Sequence, residues 1–260
     1  GILFKNQQVT CYQLGIVSKS MLYAVMRHFY SDVLEFTHYP HICRQNQDSF
    51  DTLGESVSEY IRERNSVVAV DDCVQQFEAK GYSPTQLRAR LSNLSKILPF
   101  YPGCVVHADT IGWDTDKAAQ LREVLFGAYV SRLDLGHLIG DLEEVYDLYE
   151  KLLPVLSADM SWTHDLLAAL AVKCDDVVLI GNARRAYAIT ARADAITTLA
   201  DLVVAVVRDH FGGGCSREQM NQWMQDNGVV RKQLTTHMFA TPPGLEMSDY
   251  ECLWKGGSDA

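Results

Sequence analysis

The stretch from Leu133 to Leu153 constrains the fold most, because its apolar residues keep one period over about six helical turns. The residues that recur at steps of three and four are Leu135, Leu138, Leu142, Val145, Tyr149 and Leu152. Such a period is that of one face of an α-helix. The sequence therefore predicts a long helix whose apolar face packs against a core, with a break near Gly136 or Gly140 as the alternative.

A second face of the same stretch carries a row of carboxylates. Its members, again at steps of three and four, are Glu143, Asp147 and Glu150. A row of this kind serves solubility, binds a cation, or contacts a partner protein, and the sequence leaves these three readings open. Its candidate partners within the chain are the basic residues Arg184, Arg185 and Arg192.

The composition indicates a globular protein whose main partner is not nucleic acid. With 260 residues, of which 47% are hydrophobic, the chain is long and apolar enough to form a globular core. The balance is acidic, since 33 Asp and Glu against 23 Lys and Arg give a net charge of −10. Nucleic acid is therefore not expected to be the main partner, because its binders need a basic surface. We find no apolar run long enough to cross a bilayer and no signal peptide.

The cysteines predict free thiols. There are seven of them, an odd number, and no Cys-x-x-Cys pair occurs: Cys11, Cys43, Cys73, Cys104, Cys174, Cys215 and Cys252. Thiols without such motifs are typical of buried residues in a reducing compartment. We therefore expect an intracellular protein of the cytoplasm or of an organelle matrix.

Helix signals recur along the rest of the chain. Ser18 precedes an apolar stripe of helical period, which we expect to be buried: Leu22, Val25, Met26, Phe29, Val33 and Leu34. Further start signals are the Thr52 and Glu55 capping box, Ser83-Pro84, Thr115, Ser161 and Ser216. These patterns predict an all-α protein, a multi-helix bundle of roughly eight or nine helices in two packed clusters with extended N- and C-terminal arms.

The proline-rich stretch of residues 99–114 suggests the division of the chain. We expect an N-terminal helical cluster over residues 1–98, a linker over 99–114 and a C-terminal helical bundle over 115–228. Residues 229–260, which contain Pro242-Pro243-Gly244, are expected to form an extended tail.

Carboxylates on two predicted helices form a candidate metal site. Its members, which converge if the two helices pack antiparallel, are Glu143, Glu144, Asp147, Asp194 and Asp201. Hard oxygen ligands of this kind suit Mg²⁺, which retains waters for a substrate phosphate. The other reading of the same residues is a solvated helix face.

The order of these carboxylates resembles that of the all-α nucleoside-triphosphate pyrophosphohydrolases, the MazG-like and dimeric dUTPase group. That family pairs a Glu-Glu-x-x-Glu helix with a Glu-x-x-Asp helix. Residues 143–147 (EEVYD) match the first motif with Asp in place of the last Glu, and residues 198–201 (TLAD) match the second with Thr198 at a ligand position. The resemblance covers about a third of the chain, and it implies Mg²⁺-dependent phosphohydrolysis.

Two weaker metal patterns remain. His164-Asp165, with His137 before it and Asp194 or Asp201 after it, resembles the HD phosphohydrolases, whose adjacent His and Asp bind a metal that activates water. The same dipeptide is also an ordinary first turn of a helix. A further set of soft ligands lies within six residues and could hold Zn²⁺ if a fourth ligand joined it: His38, His41 and Cys43.

Two functional hypotheses follow. The first is a non-catalytic helical subunit or adaptor of a larger protein assembly, which needs no cofactor and binds other protein subunits through its terminal arms. Its candidate partner-binding residues are Phe4, Phe239, Tyr250 and Trp254. The second is a divalent-metal-dependent phosphohydrolase that uses the carboxylates above with Mg²⁺. We favour the first, because both enzyme patterns carry substitutions at ligand positions.

Overall fold

The computed structural model describes residues 2–36, 42–44, 53–157, 160–192 and 195–256. About 49% of the chain is helical and 13% is in strands, nine of which form three small antiparallel sheets of three strands each. The protein is therefore of mixed α/β structure, and the prediction of an all-α helical bundle is wrong. The predicted extended arms are also wrong, because the N-terminal residues form short helices and the C-terminal ones form a β-hairpin.

The helices are short, with one exception of 20 residues. They are α1 (Ile2–Asn6), α2 (Gln8–Gln13), α3 (Lys19–Tyr30), α4 (Leu53–Arg64), α5 (Val70–Glu78), α6 (Pro84–Leu91), α7 (Thr115–Asp134), α8 (Leu142–Tyr149), α9 (His164–Ala171), α10 (Leu199–Ala205) and α11 (Arg217–Asp226). A 3₁₀ turn follows α8 at Glu150–Leu152, and α10 continues into a π-helical turn at Val206–His210.

The strands contain between two and five residues. They are β1 (Leu34–Glu35), β2 (Cys43–Arg44), β3 (Val68–Ala69), β4 (Ile97–Tyr101), β5 (Cys104–His107), β6 (Gly140–Asp141), β7 (Val177–Leu179), β8 (Ala186–Ile189), β9 (Gly214–Ser216), β10 (Leu245–Met247) and β11 (Glu251–Trp254). The three-stranded sheets have the orders β3-β5-β4, β6-β8-β7 and β10-β11-β9, and β1 pairs with β2.

The sequence analysis predicted no sheet, and the reason is physical. In β8 all four residues are buried, so the strand shows no alternation of apolar and polar side chains. Its partners β6 and β7 have two and three residues, too few to show a period. The stretch predicted to be a linker, residues 99–114, contains most of β4 and all of β5. The division of the chain into the predicted ranges stays a prediction.

The chain forms two compact units. The first contains Gly1–Ile97 and Gly103–His107, and the second contains Leu98–Pro102 and Ala108–Ala260. The main core of the first unit contains Val57 and Ile61 of α4, Phe77 of α5 and Leu87 of α6. All four side chains are essentially inaccessible to solvent.

The core of the second unit forms where α7 and α9 lie against the sheet that contains β8. Leu121 and Leu125 of α7, Leu167 of α9 and Tyr187 of β8 are fully buried. The hydroxyl of Tyr187 donates a hydrogen bond of 2.7 Å to the carbonyl oxygen of Leu125. This bond satisfies the one polar group that the tyrosine brings into the core.

The periodic stretch of residues 133–153 is not one helix. Gly136 has a φ of +86° and ends α7. Its amide donates to the carbonyl of Leu133 and the amide of His137 donates to that of Arg132, which is a Schellman C-cap. The break turns Leu135 out to solvent, whereas Leu142 and Val145 of α8 remain buried as predicted.

We predict that Gly140→Ala lowers the free energy of unfolding by about 1–3 kcal/mol, because a Cβ atom at this position would lie 2.4 Å from the ring of Tyr187. The hydrogen bond to Leu125 leaves that ring little freedom to move. The matched control is Gly127→Ala in α7, where a Cβ atom meets nothing within 4 Å and the gain in helix propensity is about 0.5–1 kcal/mol. Urea unfolding of both variants measures the difference, and an equal effect of the two substitutions would contradict the predicted clash.

Candidate functional site

Just before the acidic row lies a buried carboxylate, Asp141, which is ion-paired with Arg185, the residue before β8. Gly140 and Asp141 of β6 pair with Tyr187 and Ala186 of β8, which places Arg185 beside Asp141. Arg185 donates from Nε to Oδ1 of Asp141 at 2.7 Å and from Nη2 to Oδ2 at 2.6 Å. These hydrogen bonds raise the pKa of Arg185 further above its usual range. The pair is therefore bidentate, and its guanidinium remains charged.

Asp141 also caps the helix that carries the row. Its Oδ1 accepts a hydrogen bond of 2.9 Å from the amide of Glu143 in the first turn of α8. Such a cap satisfies one of the amides that a helix leaves unpaired at its N-terminus.

Glu143 of the acidic row and the adjacent Glu144 are both ion-paired with arginine. Arg185 contacts Glu143, which confirms that a residue of the predicted basic cluster pairs with the row. Arg132 contacts Glu144. The guanidinium of Arg132 is buried and also donates from Nε to the carbonyl oxygen of Ile139 at 3.0 Å. These contacts give Glu143 and Glu144 a structural use at the start of α8.

Two further carboxylates of the candidate metal set lie among the described residues, Asp147 and Asp201. Asp147 is exposed on α8. Asp201 lies in the first turn of α10, where its Oδ2 accepts a hydrogen bond of 2.6 Å from the Thr198 hydroxyl. That hydroxyl in turn accepts from the Asp201 amide at 3.1 Å, which is a helix cap. Asp194 lies outside the described residues. Within the described ranges no group of three or more His, Cys, Asp or Glu side chains is arranged to hold a metal ion.

The HD-like dipeptide has an ordinary helical environment. Thr163 caps α9 by accepting from the amide of Leu166, and His164 and Asp165 form the exposed first turn. The ring of His164 stacks on that of Tyr146 with 4.2 Å between the centroids. Of the zinc candidates, His38 and His41 lie outside the described residues, and only the backbone of Cys43 is described.

The N-terminal residues present a different kind of surface. Eight large hydrophobic side chains between residues 9 and 33 are exposed, and we call them the N-terminal apolar surface: Val9, Tyr12, Leu14, Val17, Met21, Phe29, Tyr30 and Val33. They lie on α2, on α3 and in the segments that follow these helices. They lie within 25 residues of the sequence, and exposed apolar side chains that form one patch mark interaction sites, whereas single ones are normal.

Two local signals determine where α2 ends and where α3 begins. Gly15, with a φ of +74°, ends α2, and the amide of Ile16 returns to the carbonyl of Cys11. Ser18 then starts α3 by accepting a hydrogen bond of 3.1 Å from the amide of Met21. The small core beneath consists of Phe4, Cys11 and Ile16, with Leu22 and Val25 of α3 against it.

The sequence predicted the start of α3 correctly, but the prediction that its apolar stripe is buried is wrong. The stripe expected to be buried includes Phe29 and Val33, which are 67% and 55% exposed. No residue of α3 is buried. The small core covers only Leu22 and Val25, one turn apart, so the second half of the stripe extends beyond it.

The four predicted partner-binding residues differ in accessibility. Phe4 is only 8% exposed and packs edge-to-face on Tyr12, with ring centroids 6.2 Å apart. Tyr250 is 84% exposed, while Phe239 and Trp254 are partly buried. Sequence reasoning missed the N-terminal apolar surface, since an apolar period does not say whether anything covers it.

Comparison with protein-family models, with curated proteins and with solved structures finds no match for this chain. Among the described residues, no helix is both long and apolar enough to cross a membrane.

We predict that Arg132→Ala lowers the free energy of unfolding by about 2–4 kcal/mol, because it leaves Glu144 and the Ile139 carbonyl without their donor. The matched control is Arg208→Ala, which removes an ion pair to Asp209 whose partners are both about half exposed. Such a pair contributes less than about 1 kcal/mol. Chemical denaturation of both variants gives the comparison. Equal losses would mean that the Arg132 contacts contribute no more than a surface ion pair.

Proposed function

We propose that this chain is a non-catalytic subunit or adaptor of a larger protein assembly and that the N-terminal apolar surface is where a protein partner docks. The observation that carries the proposal is the uncovered apolar stripe of α3, on which Phe29 is 67% exposed. A surface helix of a soluble domain normally turns such a stripe to its own core. Here Phe29 and Val33 of the stripe are exposed and can contact another protein.

The chemistry of the surface supports a protein partner. Tyr12, Phe29 and Tyr30 are aromatic, and aromatic side chains carry much of the binding energy at protein interfaces. An apolar stripe on one helix also suits a hydrophobic groove, the mode in which residues at i, i+3, i+4 and i+7 act as anchors. Phe29 and Val33, which are both exposed, have the i, i+4 spacing of two such anchors.

The contacts of the candidate metal ligands also favour an adaptor over an enzyme. A metal-dependent phosphohydrolase needs carboxylate oxygens that are free to coordinate Mg²⁺. Glu143 and Glu144 are engaged with arginines, and Asp201 takes part in the cap of α10. These contacts favour the adaptor over the enzyme.

We predict that the double variant F29S/V33S loses partner binding while keeping its fold. Truncating an aromatic anchor at an interface costs about 2 kcal/mol or more, which is about thirtyfold in affinity. Both side chains are exposed, so the free energy of unfolding should change by less than about 0.5 kcal/mol per site. A partner identified with the wild-type chain is purified, and its affinity for both forms is measured by titration calorimetry.

The matched control is Val172→Ser, which removes an exposed apolar side chain at the end of α9 in the second unit. It should leave the affinity unchanged. If F29S/V33S binds as tightly as the wild type, the N-terminal apolar surface is not the docking site.

We also predict that the wild-type chain releases no pyrophosphate from nucleoside triphosphates when Mg²⁺ is added. The variant Asp201→Ala should then behave like the wild type, because Asp201 only completes a helix cap. A coupled pyrophosphate assay across the common nucleotides measures both. Turnover that needs Mg²⁺ and is lost in Asp201→Ala would reverse the proposal in favour of the enzyme.

A further inference from the structure

Two cysteines lie directly opposite each other in the C-terminal sheet. Cys215 of β9 is paired in register with Cys252 of β11, the central strand of that sheet. The amide of Arg217 bonds to the carbonyl of Tyr250, and the amide of Trp254 bonds to that of Gly213, each at 2.8 Å. The cysteine pair lies midway between these two bonded positions, so it occupies a hydrogen-bonded site of the antiparallel ladder.

This position brings the two sulfur atoms together. Side chains directly opposite each other in a sheet project from the same face. The Cα atoms of such a pair lie about 5.5 Å apart, within the range that a disulfide spans. The two thiols are close enough for Cys252 to influence the pKa of Cys215. No other cysteine has a comparable neighbour among the strand pairings of the described residues, where Cys104 faces Ala69 and Cys43 faces Glu35.

The surroundings slow the reaction of both thiols and leave Cys215 the more accessible of the two. Cys252 is fully buried and Cys215 is 9% exposed, so Cys215 is the one that a reagent reaches first. Burial, together with the neighbouring Cys252, raises the pKa of Cys215 to about 11, which keeps its thiolate scarce at neutral pH. Nη1 of Arg217 lies 3.8 Å from Sγ of Cys252 and gives the pair a charged donor.

We propose that Cys215 and Cys252 form a redox pair that closes a disulfide between β9 and β11 when a small-molecule disulfide of the glutathione class acts as oxidant. The thiolate of Cys215 attacks one sulfur of the oxidant and displaces a thiolate, which forms a mixed disulfide. The thiolate of Cys252 then attacks Sγ of Cys215 and displaces the second small thiolate. The two protein thiols lose two protons and two electrons, and one small disulfide becomes two thiols.

The disulfide would link β11 covalently to β9 within the second unit. It closes a loop that contains α11 and β10, and it fixes the strand that follows the exposed Tyr250. Cβ atoms of opposed residues lie about 4.5–5.5 Å apart, while a disulfide needs about 3.5–4.5 Å. The strands must therefore move slightly closer on closure, and this strain keeps the bond easy to reduce. The pair thus works as a reversible lock, and it does not depend on the proposed adaptor role.

The test incubates the native chain of 260 residues with oxidised glutathione at pH 8.5, blocks the remaining thiols by alkylation and maps the peptides by mass spectrometry. We expect a cross-linked peptide pair that contains Cys215 and Cys252, lost on addition of reduced dithiothreitol. Circular dichroism should show no unfolding during the reaction. The closed form should melt roughly 3–8 °C higher than the reduced form, because the loop restricts the unfolded chain.

Matched variants separate this pair from adventitious oxidation. Cys104→Ser should still close the cross-link, because Cys104 faces Ala69 and not another thiol. Cys252→Ser should stop at glutathione bound to Cys215. A wild-type chain that yields no cross-link between Cys215 and Cys252, that links other cysteines instead, or that links these two only after losing its circular dichroism signal would overturn the proposal, whatever the variants do.

Discussion

The contacts of Arg132 and Arg185 with the carboxylates around α8 determine how β6, β8 and α8 are arranged in the second unit. Arg185 reaches Asp141 from the adjacent strand with two hydrogen bonds, and its own carbonyl accepts the amide of Leu142. Backbone and side chain therefore specify the same register between β6 and β8. A slip by one residue would separate the guanidinium from the carboxylate and leave Asp141, which is buried, without a partner. The ion pairs matter here for specifying one arrangement more than for net stability.

The same contacts explain why the carboxylate pattern was ambiguous in the sequence. Adjacent acids at the start of a helix complement its dipole, and they also form half of a metal-binding motif. What decides between these uses is the identity of the nearest neighbours in space. Arg132 and Arg185 lie 12 and 42 residues from Glu144 and Glu143 along the chain, and no local pattern connects them. Likewise, the spacing of Thr198 and Asp201 fits a cap as well as a degraded ligand motif.

How well each part of the fold could be predicted also depended on whether the contacts that determine it are local or distant along the chain. The starts of α3, α6, α7 and α11 were read correctly from residues 18, 83–84, 115 and 216, because caps act within one turn. The sheets were missed, since strands of two to five residues depend on partners far along the chain. For α3, periodicity identified an apolar face but could not say what covers it. The candidate docking surface therefore became visible only once the structure was known.

In the N-terminal segment, α3 carries more apolar surface than the small core beneath it covers. A helix of 12 residues is marginal by itself in water, and helices in proteins gain most of their stability from burying an apolar face. The core beneath α3 is formed by three buried side chains, Phe4, Cys11 and Ile16, and reaches only the first half of the stripe. In the proposed complex the partner supplies the missing cover for Phe29 and Val33, so that docking and the stability of α3 are coupled by the same burial. The cysteine pair lies in the other unit, so its closure acts on a part of the chain that this coupling does not involve.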